Sequence, residues 1–227
     1  MIELKNITYA YGTRLVLDHI SVCFPDEKCT CIDGPNGCGK STLFRVLSGL
    51  IFPDSGSYSL DGDEITQKKL KQKSYMHAFY QKIGYVFQDS DAQLFTRSVE
   101  DEIAFGLYQL AYDPVRIHEI TEKYISLMDL NEVRRQAPFT LSTGEKKRTA
   151  LAAVLAMDPK IIILDEPTAS LDEDGQTWLI AFLQQLKKEK KTIILSSHQP
   201  EVIAALADRT VKINKLHQIV PNPENKA

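Results

Sequence analysis

The chain contains no apolar run near the ~20 residues that a bilayer-spanning helix needs, so none of its helices is expected to cross a membrane. It has no excess of positive charge. Its 27 Lys and Arg face 30 Asp and Glu, a formal net charge of −3, so a broad nucleic-acid surface is not indicated. Cysteine is scarce. Cys23, Cys29, Cys31 and Cys38 form no C-x-x-C pair and read as small, half-buried residues of a reducing compartment. The five histidines are scattered and form no ligand cluster. No internal repeat, low-complexity tract or heptad array is present, which disfavours solenoids and coiled coils. The opening Met1–Lys5 lacks the apolar core of a signal peptide, and a cytosolic setting is expected.

What is present is concentrated in Gly34-Pro35-Asn36-Gly37-Cys38-Gly39-Lys40-Ser41, which fits the phosphate-loop pattern G-x-x-x-x-G-K-[ST] at every fixed position. A chain of this length matches that pattern by chance on the order of one time in a hundred. The context removes most of that chance. A strand-like run, Cys29–Ile32, precedes the loop, and a helical segment, Thr42–Leu47, follows it. Glycines let backbone N–H groups turn inward towards phosphate oxygens, and the helix N-terminus adds its own unpaired N–H groups. Lys40 supplies an ammonium for the β and γ phosphates, and Ser41 a hydroxyl for Mg²⁺. The motif alone leaves kinases, GTPases and ATPases open.

The first third of the chain reads as β-rich, with alternation at Ile2–Ile7 and Ser57–Leu60 before an Asp61-Gly62 turn. Lys68–Lys73 is a basic run expected on a solvated face. From Val99 to Met157 the spacing is helical, with Asp113-Pro114 opening one helix. Ile161–Leu164 and Ile193–Leu195 read as strands buried on both faces, separated by a helix from about Gln176 to Lys187. Strands alternating with helices imply right-handed βαβ units.

Carboxylates close one of those buried strands. Ligands of doubly wound sheets gather at the carboxyl ends of the strands, where the phosphate loop also lies. Asp165 can therefore reach the Mg²⁺ held by Ser41, and Glu166 can face the water that attacks the γ-phosphate. His198 ends the next apolar strand and can hydrogen-bond the same phosphate or water. Gln88 follows the strand candidate Ile83–Phe87. Its neutral amide can touch Mg²⁺ or water and withdraw without a charge penalty.

Leu141-Ser142-Thr143-Gly144-Glu145 resembles the L-S-G-G-Q signature of ATP-binding cassette (ABC) ATPases. With Tyr11, Gly34–Ser41, Gln88, Asp165-Glu166, Ser170-Leu171-Asp172 and His198 it stands in that family's order along nearly the whole chain. The resemblance implies an α/β fold: a P-loop NTPase (RecA-like) core with an antiparallel β subdomain and an inserted α-helical subdomain. The core with its β subdomain would occupy residues 1–88 and 158–220, the helical part 89–157, and a tail 221–227. It also implies head-to-tail pairing of two cassettes, with ATP and Mg²⁺ as cofactors. Tyr11 would stack on adenine, the loop through Thr42 would hold the phosphates, and Asp172 would link the two sites. Ser142, Thr143, Gly144 and Glu145 would face the partner's γ-phosphate. Thr143 and Glu145 depart from the signature; the first adds a β-branched side chain and the second a charge.

Tyr85–Phe95 with Val99–Gly106 resembles the energy-coupling factor (ECF) importer ATPases, including those for cobalt and nickel. That likeness implies a second ATPase subunit, identical or paralogous, and a membrane T component docked in the groove after Gln88. It also implies an indirectly contacted S component, no nucleic acid, and a place on the cytoplasmic face of a prokaryotic membrane. Leu94 and Phe95 suit that groove, or equally the core of the helical part. Many vitamin-type ECF ATPases continue further past the position of Val220, which tilts the expectation towards a nickel or cobalt system. A shared vitamin-uptake ATPase and a non-transport ABC ATPase are the alternatives.

Overall fold

The computed structural model describes residues 1–220; the tail expected at 221–227 lies outside them. Two sheets carry the chain. β1 (Ile2–Tyr11) and β2 (Arg14–Phe24) form a hairpin, with Tyr11 opposite Arg14 across the turn. β4 (Ser55–Leu60) and β5 (Asp63–Glu64) extend it into an antiparallel sheet of order β2-β1-β4-β5. Between them the chain crosses to the second sheet through β3 (Cys29–Asp33) and α1 (Lys40–Leu47).

The second sheet is parallel except at one edge. Its order is β10-β9-β3-β8-β7-β6, with β6 at Ile83–Val86, β7 at Ile161–Leu164, β8 at Thr192–Ser196, β9 at Arg209–Ile213 and β10 at Ile219–Val220. Only β10 runs antiparallel to its neighbour. Burial on both faces explains the unbroken apolar strands. Ile161 and Ile163 point into the core shared with the antiparallel sheet and α1, while Ile162 and Leu164 point into the core shared with the helices.

The helices cover what the strands leave exposed. α2 (Gln67–Leu70) and α3 (Lys73–Lys82) fall where the sequence shows only a basic run, and most of Lys68–Lys73 is exposed as expected. α5 (Pro114–Leu127) and α6 (Thr143–Leu155) both pack on α4 (Val99–Gln109). α7 (Glu173–Lys188) begins three residues before the expected position because Asp172 caps it, accepting the Gly175 N–H at 2.8 Å. α8 (Pro200–Leu206) precedes β9.

The four cysteines form no disulfide. Burial pushes the Cys29 and Cys31 thiols up to about 12, so these two are packing residues rather than reactive ones. No helix among the described residues is long and apolar enough to cross a membrane.

Candidate active site

The carboxyl ends of four adjacent strands deliver the predicted residues. β3 leads into the phosphate loop, β6 into Gln88, β7 into Asp165 and Glu166, and β8 into His198. They surround one cleft of about 590 Å³. Asn36, Gly37, Gly39, Lys40, Ser41 and Thr42 line it, with Tyr11, Gln88, Asp165, Glu166 and His198. A ligand position at the strand ends is what a doubly wound sheet dictates.

Gly34, Pro35 and Cys38 shape the loop without lining the cleft. A Cβ on Gly34 would stand 2.4 Å from the Ile213 carbonyl, and one on Gly39, at φ +113°, would stand 2.5 Å from the Val16 carbonyl. Pro35 accepts the Cys38 N–H through its carbonyl, and the Cys38 side chain is buried in the core. Lys40 donates to the Gly34 carbonyl at 2.8 Å.

Glu166 is the centre of the polar contacts. Its carboxylate lies 3.5 Å from Lys40 Nζ and 3.2 Å from His198 Nδ1. It holds a left-handed φ of +42°, a conformation that costs a non-glycine residue about 1–3 kcal/mol and collects at functional sites. The neighbours hold it there. The Glu166 N–H donates to Ser196 Oγ at 2.7 Å, and that hydroxyl donates to Asp165 Oδ1 at 2.8 Å. The Tyr85 hydroxyl reaches Asp165 Oδ2 at 3.4 Å; burial, then the Asp165 charge, pushes that phenol's pKa up.

Ser41, Gln88 and Asp165 place a hydroxyl, an amide and a carboxylate on the cleft. These hard oxygen donors suit Mg²⁺. Among the described residues no group of three or more His, Cys, Asp or Glu gathers as a metal cage.

Tyr11 is half exposed at the cleft mouth, set edge-on to Tyr9 at 5.0 Å and accepting from Arg45 at 3.2 Å. Sequence reasoning missed Arg14 in this wall. Its signal is the two-residue turn Gly12-Thr13, which sets Arg14 opposite Tyr11. Ser196 was missed too, and only the β7–β8 register reveals it.

The signature lies elsewhere. Ser142, Thr143, Gly144 and Asp172 line a second cleft, of about 570 Å³, with Arg148, Ser170 and Trp178; no residue is common to the two. Ser142 caps α6, and Glu145 closes the capping box by accepting from the Ser142 N–H at 2.8 Å and its hydroxyl at 2.6 Å. Those bonds hold the Glu145 carboxyl below its ordinary value. Further along α6, Lys147 is buried and donates to the carbonyls of Phe87 and Gln88.

The fold and the cleft define a P-loop nucleoside triphosphatase. A protein-family profile described as ABC transporter matches residues 17–169, and the chain belongs to that family. The nickel import ATP-binding protein LarO of Lactiplantibacillus plantarum is 40% identical over 96% of this chain and 91% of its own. The energy-coupling factor transporter ATP-binding protein EcfA of Methanoculleus marisnigri is 36% identical over 95% of this chain and 76% of its own. The solved structure of cbiO1 from Clostridium perfringens, described as part of the ABC transporter complex cbiONQ, is 30% identical. It superposes with a TM-score of 0.82 over 97% of this chain and 86% of its own. The protein is thus an ABC transporter ATPase, which binds ATP and hydrolyses it to drive transport.

Proposed function

We propose that this chain is the ATPase of an ECF-type importer for a transition-metal ion, nickel or cobalt, and that it works as a head-to-tail pair. The observation that carries the pairing is the split between the two clefts. One chain gathers Tyr11, most of the phosphate loop, Gln88, Asp165, Glu166 and His198 on one cleft, whereas its signature and Asp172 line a separate one.

Gly144 supports the same reading. A Cβ there would meet nothing within 4 Å. Its own chain therefore leaves room for a side chain there, yet the residue is glycine. A bare backbone at a helix start is what an approaching phosphate from a second copy needs.

In the paired state Lys40 and the loop N–H groups hold the β and γ phosphates, and Tyr11 stacks on adenine. Ser41, Gln88 and Asp165 would hold Mg²⁺, which when bound neutralises triphosphate charge. Glu166 accepts the proton of the attacking water, and His198 orients that water or the γ-phosphate. ATP binding closes the pair, and hydrolysis reopens it.

For the membrane partner, the support is an aromatic patch. Leu94 packs against the core, whereas Phe95 is 67% exposed, edge-on to Phe105 at 5.0 Å, with Tyr108 61% exposed nearby on α4. That patch suits cytoplasmic helices of a T component and supports a position at the cytoplasmic membrane face. The metal is suggested by the name of LarO, a nickel import ATP-binding protein; EcfA's name keeps a shared importer ATPase as the alternative. Radioactive nickel and cobalt uptake by cells carrying the complete complex, with and without Lys40→Ala, tests the metal. Uptake of neither ion, with vitamin uptake present, would sink it.

A further inference from the structure

The first two turns of α6 carry Lys146-Lys147-Arg148, three consecutive cations with different surroundings. Lys146 reaches the exposed Asp91 at 2.7 Å. Arg148 lies over the Trp178 ring and 3.6 Å from Asp129. Lys147 instead is only 2% exposed and spends its ammonium on two main-chain oxygens, Phe87 at 3.1 Å and Gln88 at 3.0 Å. Among the described residues no carboxylate pairs with it directly. Burying an ammonium against neutral acceptors is costly, and a purely structural tie between two segments could use an amide or hydroxyl at less cost.

The segment it grips leads from the core sheet into the helical part. On the core side, Phe87 N–H donates to Gln93 Oε1, and Gln93 donates back to the Tyr85 carbonyl. Beyond, the loop turns at Ser90, whose carbonyl accepts the N–H groups of Gln93 and Leu94. With Lys146 on Asp91 and Lys147 on Phe87 and Gln88, the start of α6 is strapped to both ends of the short stretch 87–91. The Gln88 carbonyl is held by Lys147 while its residue lines the triphosphate cleft, so moving α6 moves Gln88. The same α6 opens with Ser142 and Gly144.

We propose that Lys147 is a positioning residue for Gln88, its ammonium fixing the Phe87–Gln88 main chain to the signature helix so that this amide enters the triphosphate cleft in register with Ser142 and Gly144. It makes one chain report the seating of its signature to its own hydrolysis site. The proposal rests on the reading of Gln88 as a group that touches Mg²⁺ or water in the triphosphate cleft.

The test is steady-state ATP hydrolysis by the full chain, as Lys147→Met, Lys147→Arg, Gln88→Ala and the Gln88→Ala/Lys147→Met double variant. Misplacing a group by about 1 Å costs up to about a hundredfold in rate, so Lys147→Met is expected to lower kcat on the order of tenfold or more. KM for ATP stays within about twofold, because uniform binding is untouched. Lys147→Arg, which keeps charge and donors, recovers a large part of kcat. The double variant is no slower than Gln88→Ala, since one residue acts through the other. Should Lys147→Met not fold, Lys147→Gln replaces it in the same cycle. Folded Lys147→Met with wild-type kcat, or rate losses that multiply in the double variant, overturns the proposal. Wild-type kcat in Gln88→Ala overturns the reading of Gln88 beneath it as well, which tells the two failures apart.

Discussion

The Ser196 hydroxyl bridges Asp165 and Glu166, donating to Asp165 Oδ1 at 2.8 Å and accepting the Glu166 N–H at 2.7 Å. All three residues are buried, so the bridge fixes where two consecutive carboxylates stand. Replacing Ser196 with Ala leaves a buried N–H and a carboxylate oxygen each short of a partner. That costs about 1–3 kcal/mol of stability. Hydrolysis should slow with little change in ATP affinity, because the strained Glu166 backbone loses its anchor. Thermal unfolding and single-turnover rates check this; unchanged values in both would contradict it.

Gly144→Ala separates stability from activity. A methyl group there meets nothing within 4 Å in its own chain, so the variant should unfold at an equal or higher temperature. It should nevertheless hydrolyse ATP poorly, because the methyl stands where a second copy's phosphate approaches. Full activity in the stabilised variant would remove Gly144 from the site.

Glu145 takes the Ser142 hydroxyl that a γ-phosphate would need, and it brings a negative charge to that place. Glu145→Gln keeps the capping box, since glutamine also fills it, and removes the charge. Half-maximal ATP for pairing should fall several-fold, read by light scattering across an ATP titration. The cap's pH dependence has a definite sign. A depressed carboxyl contributes fully above its ordinary range, and that contribution is lost as pH falls through its lowered value. Glu145→Gln should therefore flatten this acid limb of stability.

Arg14 stands across the turn from Tyr11 and lines the same cleft. Arg14→Ala should raise KM for ATP a few-fold with kcat nearly unchanged, the pattern of lost ground-state binding. A fall in kcat alone would place it elsewhere in the cycle.

Much of this site could be read along the chain, because its groups end apolar strands or break them with glycine. Gly34–Ser41, Asp165-Glu166 and His198 each follow a strand whose burial is written in Ile, Leu and Cys. Other parts needed three dimensions. α3 buries only Phe79, so Lys73–Lys82 shows no apolar stripe. Ser196 is an ordinary strand-end serine until the pairing of Leu164 with Leu195 sets it beside Asp165. Lys147 is indistinguishable from Lys146 and Arg148 in sequence, and only the packing of α6 against the 87–91 segment buries one of the three. Leu94 and Phe95 are adjacent and equally apolar, yet one joins the core and the other faces outward.

The decisive measurement is the mass of Glu166→Gln in ATP, with and without Gly144→Glu in the same chain, by light scattering alongside bound-nucleotide analysis. With hydrolysis blocked, Glu166→Gln should double in mass on adding ATP. The variant that also carries Gly144→Glu should stay a single chain that still binds ATP. A single-chain Glu166→Gln that encloses ATP unaided, or a Gly144→Glu chain that no longer binds nucleotide, would contradict a site shared between two copies.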